Sequence, residues 1–137
     1  MMISTKGRYA IRIMLDLSQH TDEGFISLKT ISERQEISVK YLEAIVAVLN
    51  KAGIVESLRG KEGGYKLTKR PEEYTVGSII KLSEGSIAPV SCLEDNASAC
   101  ARACKCLTLP MWLKLEEIVD EYLESITLKD LLDGNIQ

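Results

Sequence analysis

The sequence predicts a mostly α-helical chain with one small β-hairpin and a long helix near its C-terminus. Three observations carry this expectation. Four segments in the first 85 residues place apolar side chains at helical spacing; one strand–glycine–strand pattern interrupts them; and the apolar positions after Pro110 continue along one helix for about four turns. At 137 residues there is room for one compact domain and an appendage. Hydrophobic residues make up 45% and charged residues 27%, an ordinary globular composition, and with 5% aromatic residues the core must be largely aliphatic.

Met1 to Gln19 reads as the first helix, with Tyr9, Ile13, Met14 and Leu17 on one side and Ser4 or Thr5 able to cap its start. Thr21 to Gly24 is a turn. Ser27 then caps a short helix, Leu28 to Gln35, that buries Leu28 and Ile31. After Glu36-Ile37, Ser38 caps a longer helix through Lys51, buried by Leu42, Ile45, Val46 and Leu49 and ended by Gly53. Ile54 to Leu58 and Tyr65 to Leu67 are strand patterns flanking Arg59-Gly60-Lys61-Glu62-Gly63-Gly64. Thr75 starts a further helix with Val76, Ile79, Ile80 and Leu82 on its face, ending near Gly85. A loop from Ile87 to Ala103 follows. Pro110 suits the first turn of the last long helix, along which Met111, Leu115, Ile118, Val119, Tyr122 and Ile126 form one apolar stripe.

Two helices joined by a tight turn, followed directly by a hairpin, make a winged helix-turn-helix. The expected organisation is a winged helix-turn-helix domain over residues 1–85, a cysteine-containing sensor loop over 86–109, and a dimerisation helix with a C-terminal tail over 110–137. Charge agrees with a division of labour. The net charge of −3 splits into +2 for residues 1–80 and −5 for residues 81–137. The basic half suits a nucleic acid, and the acidic half suits solvent or a second subunit.

Between Ser57 and Arg70 stand Arg59, Lys61, Lys66, Lys69 and Arg70 against Glu62 alone. DNA phosphates reward such a patch, because each neutralised phosphate releases counterion. Gly60, Gly63 and Gly64 let the tip, with Tyr65 beside it, turn sharply and approach a sugar–phosphate surface. Arg59 is placed to enter a narrow minor groove. On the second helix of the pair, the N-terminal residues Ser38, Lys40, Tyr41 and Glu43 would reach phosphates or base edges. Lys40 suits phosphate or guanine; Glu43 suits a cytosine amino group or, equally, plain solvent.

Ile3-Ser4-Thr5-Lys6-Gly7-Arg8-Tyr9-Ala10, Tyr41-Leu42-Glu43, and Arg59-Gly60 followed by Gly63-Gly64-Tyr65 resemble the IscR/CymR/NsrR family of bacterial regulators. The similarity extends through Val90, the cysteine loop and the helix near Trp112. It implies a cytoplasmic homodimeric transcriptional repressor. In such a dimer the long helices pack on each other and two winged helices read a palindromic operator in double-stranded DNA.

Cys92, Cys100, Cys104 and Cys106 lie within fifteen residues. In a reducing cytosol such a group points to metal or redox chemistry before structural disulfides. In the iron–sulfur members of the family, three cysteines of this loop hold a 2Fe–2S cluster, and the resemblance assigns that role to Cys92, Cys100 and Cys106. Cys104 is then an extra thiol or a fourth ligand. Members often carry a histidine three residues after the third cysteine; here that position is Leu109, and the only histidine, His20, reads as a surface residue. Zinc is the competing metal, but the cysteine spacings lack the paired knuckles of zinc sites. A CymR-like regulator without a cluster, controlled by a partner protein or by thiol oxidation, stays open.

The same sequence argues against other classes. It holds no nucleophile–base pair and no phosphate loop, and one histidine makes acid–base catalysis hard to stage, so no enzyme is expected. No apolar run approaches membrane-spanning length, and the first fifteen residues, broken by Lys6, Arg8 and Arg12, do not read as a signal peptide.

Overall fold

Serine and threonine caps set where most of the helices begin. In the computed structural model, which describes residues 3–94 and 100–137, the Ser27 Oγ accepts from the Thr30 N–H at 3.1 Å and opens α2 (Leu28–Gln35). Ser38 does the same for α3 (Val39–Lys51), accepting from Tyr41 N–H at 3.2 Å, and Thr75 for α4 (Val76–Glu84), accepting from Ser78 N–H at 3.1 Å. Each bond satisfies an amide that the helix itself leaves orphaned. α1 spans Thr5–Gln19, with Ser4 at its cap, so it begins later than the Met1 expected from the sequence; Met1 and Met2 lie outside the described residues. Between α3 and α4 lies the hairpin of β1 (Val55–Leu58) and β2 (Gly64–Leu67), antiparallel, with Val55 opposite Leu67 and Leu58 opposite Gly64. The last helices are α5 (Leu109–Ser125) and α6 (Leu128–Asp133). Short 3₁₀ turns at Ser91–Leu93 and Ala103–Lys105 punctuate the cysteine loop, of which residues 95–99 lie outside the described ones.

One core joins α1, α2, α3, β1 and α4 through Ala10, Ile13, Met14, Leu17, Ile31, Leu42, Ile45, Leu49, Val55 and Ile79. Its last member is Leu128, fully buried, from a segment read from the sequence only as a tail. Thr127 and Asp130 close a reciprocal cap at the start of α6, with Asp130 N–H donating to Thr127 Oγ1 at 3.1 Å and Thr127 N–H donating to Asp130 Oδ2 at 2.9 Å. Backbone bonds from Val76 N–H to Ile126 C=O (2.8 Å) and from Leu128 N–H to Tyr74 C=O (3.0 Å) stitch this segment to the entry of α4. The chain end is therefore part of the same core as its first helix.

A buried ion pair fastens α1 to α2. The Asp16 carboxylate, 1% exposed, accepts from Arg34 Nη2 at 2.7 Å, Arg34 Nε at 3.1 Å and Gln35 Nε2 at 3.0 Å. His20, which closes α1, sits with Nδ1 2.7 Å from the Asp16 carbonyl oxygen. It is a helix-end residue, half-buried rather than freely exposed.

The hairpin is held at its base by Tyr74. The buried phenol donates to Ile54 C=O at 2.9 Å and accepts from Thr68 N–H at 3.0 Å and Lys69 N–H at 2.9 Å. Tyr74→Phe removes all three bonds at once. Thr68 and Lys69 are exposed and recover water, so the expected loss is about 1–2 kcal/mol, near the cost of one orphaned group. Urea denaturation checks it, and an unchanged midpoint would show that the phenol is dispensable.

Candidate nucleic-acid interface and cysteine loop

The first turns of α3 stand free of the core. Leu42, Ile45, Val46 and Leu49 face inward, while Val39, Lys40, Glu43 and Ala44 are exposed on the other side. Among the described residues neither Lys40 nor Glu43 has a side-chain partner, so both charges are available. Tyr41 is positioned by its neighbours. Its ring meets Tyr9 edge-on at 5.4 Å between centroids, and the Arg12 guanidinium lies 5.2 Å from the Tyr9 ring centre. Arg12 also donates to the Gln35 carbonyl at the end of α2 and from Nε to Gln35 Oε1 at 3.2 Å. One arginine thus braces the tyrosine pair and the end of the helix before the turn. The sequence reading assigned Tyr9 to the apolar side of α1 and gave Arg12 no structural role.

In the hairpin, the three glycines have different reasons. Gly60 has φ +108° with open space around it, so the turn itself needs it. A Cβ on Gly63 would meet Leu58 O at 2.1 Å, and one on Gly64 would meet Ile26 O at 2.2 Å. There β2 passes against the residue before α2, with Ile26 N–H donating to Tyr65 C=O at 2.9 Å and Tyr65 N–H to Ile26 C=O at 2.8 Å. The close approach that demands glycine at 63 and 64 is thus to this protein's own backbone. Tyr65 is half-buried against the core.

The basic patch is smaller than the sequence count. Lys66 Nζ lies 3.3 Å from the cross-strand Glu56 and over the Phe25 ring at 4.7 Å. Arg70 is paired with Glu72 (3.3 Å) and Glu73 (3.7 Å). Arg59 and Lys61 are exposed at the tip and without a charge partner among the described residues. With Lys69, also exposed and without a charge partner among the described residues, they are the cations of the patch left free.

Cys92, Cys100 and Cys104 are exposed and Cys106 half-exposed; all four are free thiols. Cys106 Sγ lies 3.3 Å from Thr108 Oγ1, and hydrogen bonding from Thr108, with a smaller contribution from Arg102, holds the thiol below its ordinary value of 9.0. Thiolate donors suit an iron–sulfur group chemically. Among the described residues, however, no three of the cysteine, histidine, aspartate or glutamate side chains come together as a ligand set.

The expected apolar stripe on α5 resolves into two. Val119, Leu123 and Ile126 pack on Val76, Ile80 and Ile87 of the same chain. Met111, Ile118 and Tyr122, spaced by seven and four positions along one face, are 53%, 52% and 47% exposed.

The model of the Rrf2 family, iron-dependent transcriptional regulators, matches residues 3–134. The chain belongs to the Rrf2 family. It is 43% identical over 131 residues to the HTH-type transcriptional regulator CymR of Bacillus subtilis (strain 168), covering 96% of this chain and 89% of that one. The HTH-type transcriptional regulator IscR of Aliivibrio salmonicida (strain LFI1238) is 39% identical over 98% of this chain and 79% of its own. The solved structure of CymR, the global cysteine regulator of B. subtilis, superposes with a TM-score of 0.79 at 41% identity, over 98% of both chains. The winged helix-turn-helix with a long helix near the C-terminus is the Rrf2 fold, and this Rrf2 protein is a DNA-binding transcriptional regulator, not an enzyme. Among the described residues, no helix is long and apolar enough to cross a membrane.

Proposed function

We propose that this Rrf2 protein is a cytoplasmic homodimeric repressor that reads a palindromic operator and whose operator affinity responds to a 2Fe–2S cluster on the 86–109 loop. The observation that carries the DNA face is the pairing pattern. Of the cations clustered from Arg59 to Arg70, Lys66 and Arg70 have acidic partners, whereas Arg59 and Lys61 at the tip, Lys69 at the foot of the hairpin and Lys40 on α3 have none among the described residues. The contact set is Ser38, Lys40, Tyr41 and Glu43 on α3 and Arg59, Gly60 and Lys61 at the wing tip. Gly63, Gly64 and Tyr65 shape the wing behind them. The exposed stripe of Met111, Ile118 and Tyr122 supports a second copy packed along α5, since an apolar helix face of this length is unfavourable in water.

Cys92, Cys100 and Cys106 would hold the cluster, with Cys104 available as a fourth ligand. The iron-dependent description of the family, the IscR relatives and the thiol set support this. When bound, the cluster would supply a state sensitive to iron and oxidants. A second reading has its own support in the 43% identity to CymR and the acidified Cys106 thiol: control by thiol oxidation or by a partner protein, without a cluster.

Two measurements separate these. Protein isolated without oxygen should absorb in the visible, and chelation should change its operator affinity; a colourless protein with unchanged affinity would leave only the second reading, thiol oxidation or a partner protein. Arg59→Ala should weaken operator binding by about 1–3 kcal/mol with little change in melting temperature. Undiminished binding would remove Arg59 from the interface.

A further inference from the structure

Two glutamates lie across helix boundaries in the same way. Glu84, the last residue of α4, reaches the start of α1, where its Oε1 accepts from Ser4 N–H at 3.0 Å, Ser4 Oγ at 2.5 Å and Gly7 N–H at 3.0 Å. A Cβ on Gly7 would stand 2.3 Å from that oxygen, so a side chain there would push the carboxylate from this position. Glu124 of α5 reaches along α4, where its Oε2 accepts from Oγ1 of the cap residue Thr75 at 2.8 Å and its Oε1 from Nζ of Lys81, in the last turn, at 3.0 Å. Here Gly77 provides the space, since its Cβ would lie 2.6 Å from Oε1. Asp120 also pairs with Lys81, and together the two acids hold the ammonium above its ordinary pKa.

The location of Glu84 is informative. A carboxylate at the C-terminal end of a helix is opposed by that helix's own dipole, and at an N-terminus it is favoured. Glu84 is therefore misplaced for α4 and well placed for α1. It also stands at the point where the chain leaves α4 for the loop of cysteines. One turn into α1, Tyr9 meets Tyr41 of α3.

We propose that Glu124 and Glu84 form a relay in series, α5 to α4 to α1, ending on the Tyr9–Tyr41 contact, and that Glu84 is a positioning residue for operator recognition. The proposal rests on the reading of α3 as the DNA-contacting helix. Through the relay, a change in the posture of α5 or of the loop after Gly85 moves the start of α1, and with it the residue that fixes Tyr41. A helix cap acting only in folding would affect stability alone. A purely electrostatic role predicts the opposite sign, because losing an acid strengthens attraction to phosphates.

The test uses the full chain and a DNA duplex enriched from a random pool by the wild-type protein. Dissociation constants for that duplex and for an unrelated one are measured alongside thermal melts. Glu84→Ala is expected to weaken binding to the enriched duplex roughly tenfold, within the range of typical site-to-site coupling, while binding to the unrelated duplex stays constant. Glu84→Gln, which removes the same charge but keeps an acceptor for Ser4 and Gly7, is expected to restore most of the affinity. Gly7→Ala should match Glu84→Ala, and the double variant should be no worse than either, since without the carboxylate the added methyl has room. Equal affinity of wild type and Glu84→Ala for the enriched duplex overturns the relay, as does a loss shared equally by both duplexes. A wild-type protein that enriches no duplex overturns instead the reading of the DNA face beneath it.

Discussion

Replacing Arg34 with alanine is expected to cost about 3–5 kcal/mol of folding stability, the range for breaking a buried ion pair by removing one member. The magnitude follows from which partner is left behind. Asp16 is 1% exposed and Arg34 29% exposed, so Arg34→Ala strands a carboxylate that water reaches poorly. Gln35 Nε2 would remain as a donor, but no cation replaces the guanidinium. Asp16→Ala is the informative contrast, because it releases a guanidinium that can turn to solvent, and its cost should be smaller. Urea denaturation of both variants checks the order through the midpoint at constant m-value. An Arg34→Ala loss no larger than that of Asp16→Ala would mean that burial of the acid does not set the energy. Because the pair joins α1 to α2, the loss should also loosen the seating of α2 on α1.

Leu128→Ala is expected to cost about 2–5 kcal/mol, as for a fully buried leucine whose site cannot collapse. Judged as a tail residue it would cost almost nothing. Leu128 is wholly inaccessible in the core it shares with α1, and its flanking backbone is bonded to Tyr74 and, through Ile126, to Val76. Those bonds hold the segment in place and prevent it from sinking to fill the gap. A thermal or urea midpoint within 1 kcal/mol of wild type, on the scale of a surface substitution, would show that α6 is an accessory.

The contrast between these two residues and the helix caps explains what the sequence discloses. Ser27, Ser38 and Thr75 act on amides three residues away, so their identity alone marks the helix starts. The hairpin is equally local. α6 is not: six residues are too few for a periodic signal, and its docking depends on partners more than a hundred residues distant in α1. The Asp16 pair is hidden for another reason, since a lone acid on a helix reads as solvated until its cation is located. In the DNA face, the identities of Lys40, Tyr41 and Arg59 were readable, but the internal pairing of Lys66 and Arg70 was not. The glycines at 63 and 64 read as admitting a sugar–phosphate surface, whereas the close approach they admit is to Leu58 and Ile26 of the chain itself. In the sensor loop the cysteines are legible as a group, and the ligand set is not, because nothing local decides how a loop gathers its thiols.

The burial of Leu128 beside α1 also bears on synthesis of the chain. Domains ordinarily fold as units, N-terminal first, while the ribosome is still adding residues. Here α1 to α4 are made early, but their core lacks a wall until residue 128 has cleared the exit tunnel. A nascent chain therefore carries α1 to α4 in an unfinished domain until that residue arrives. The core is complete only when Leu128 reaches it.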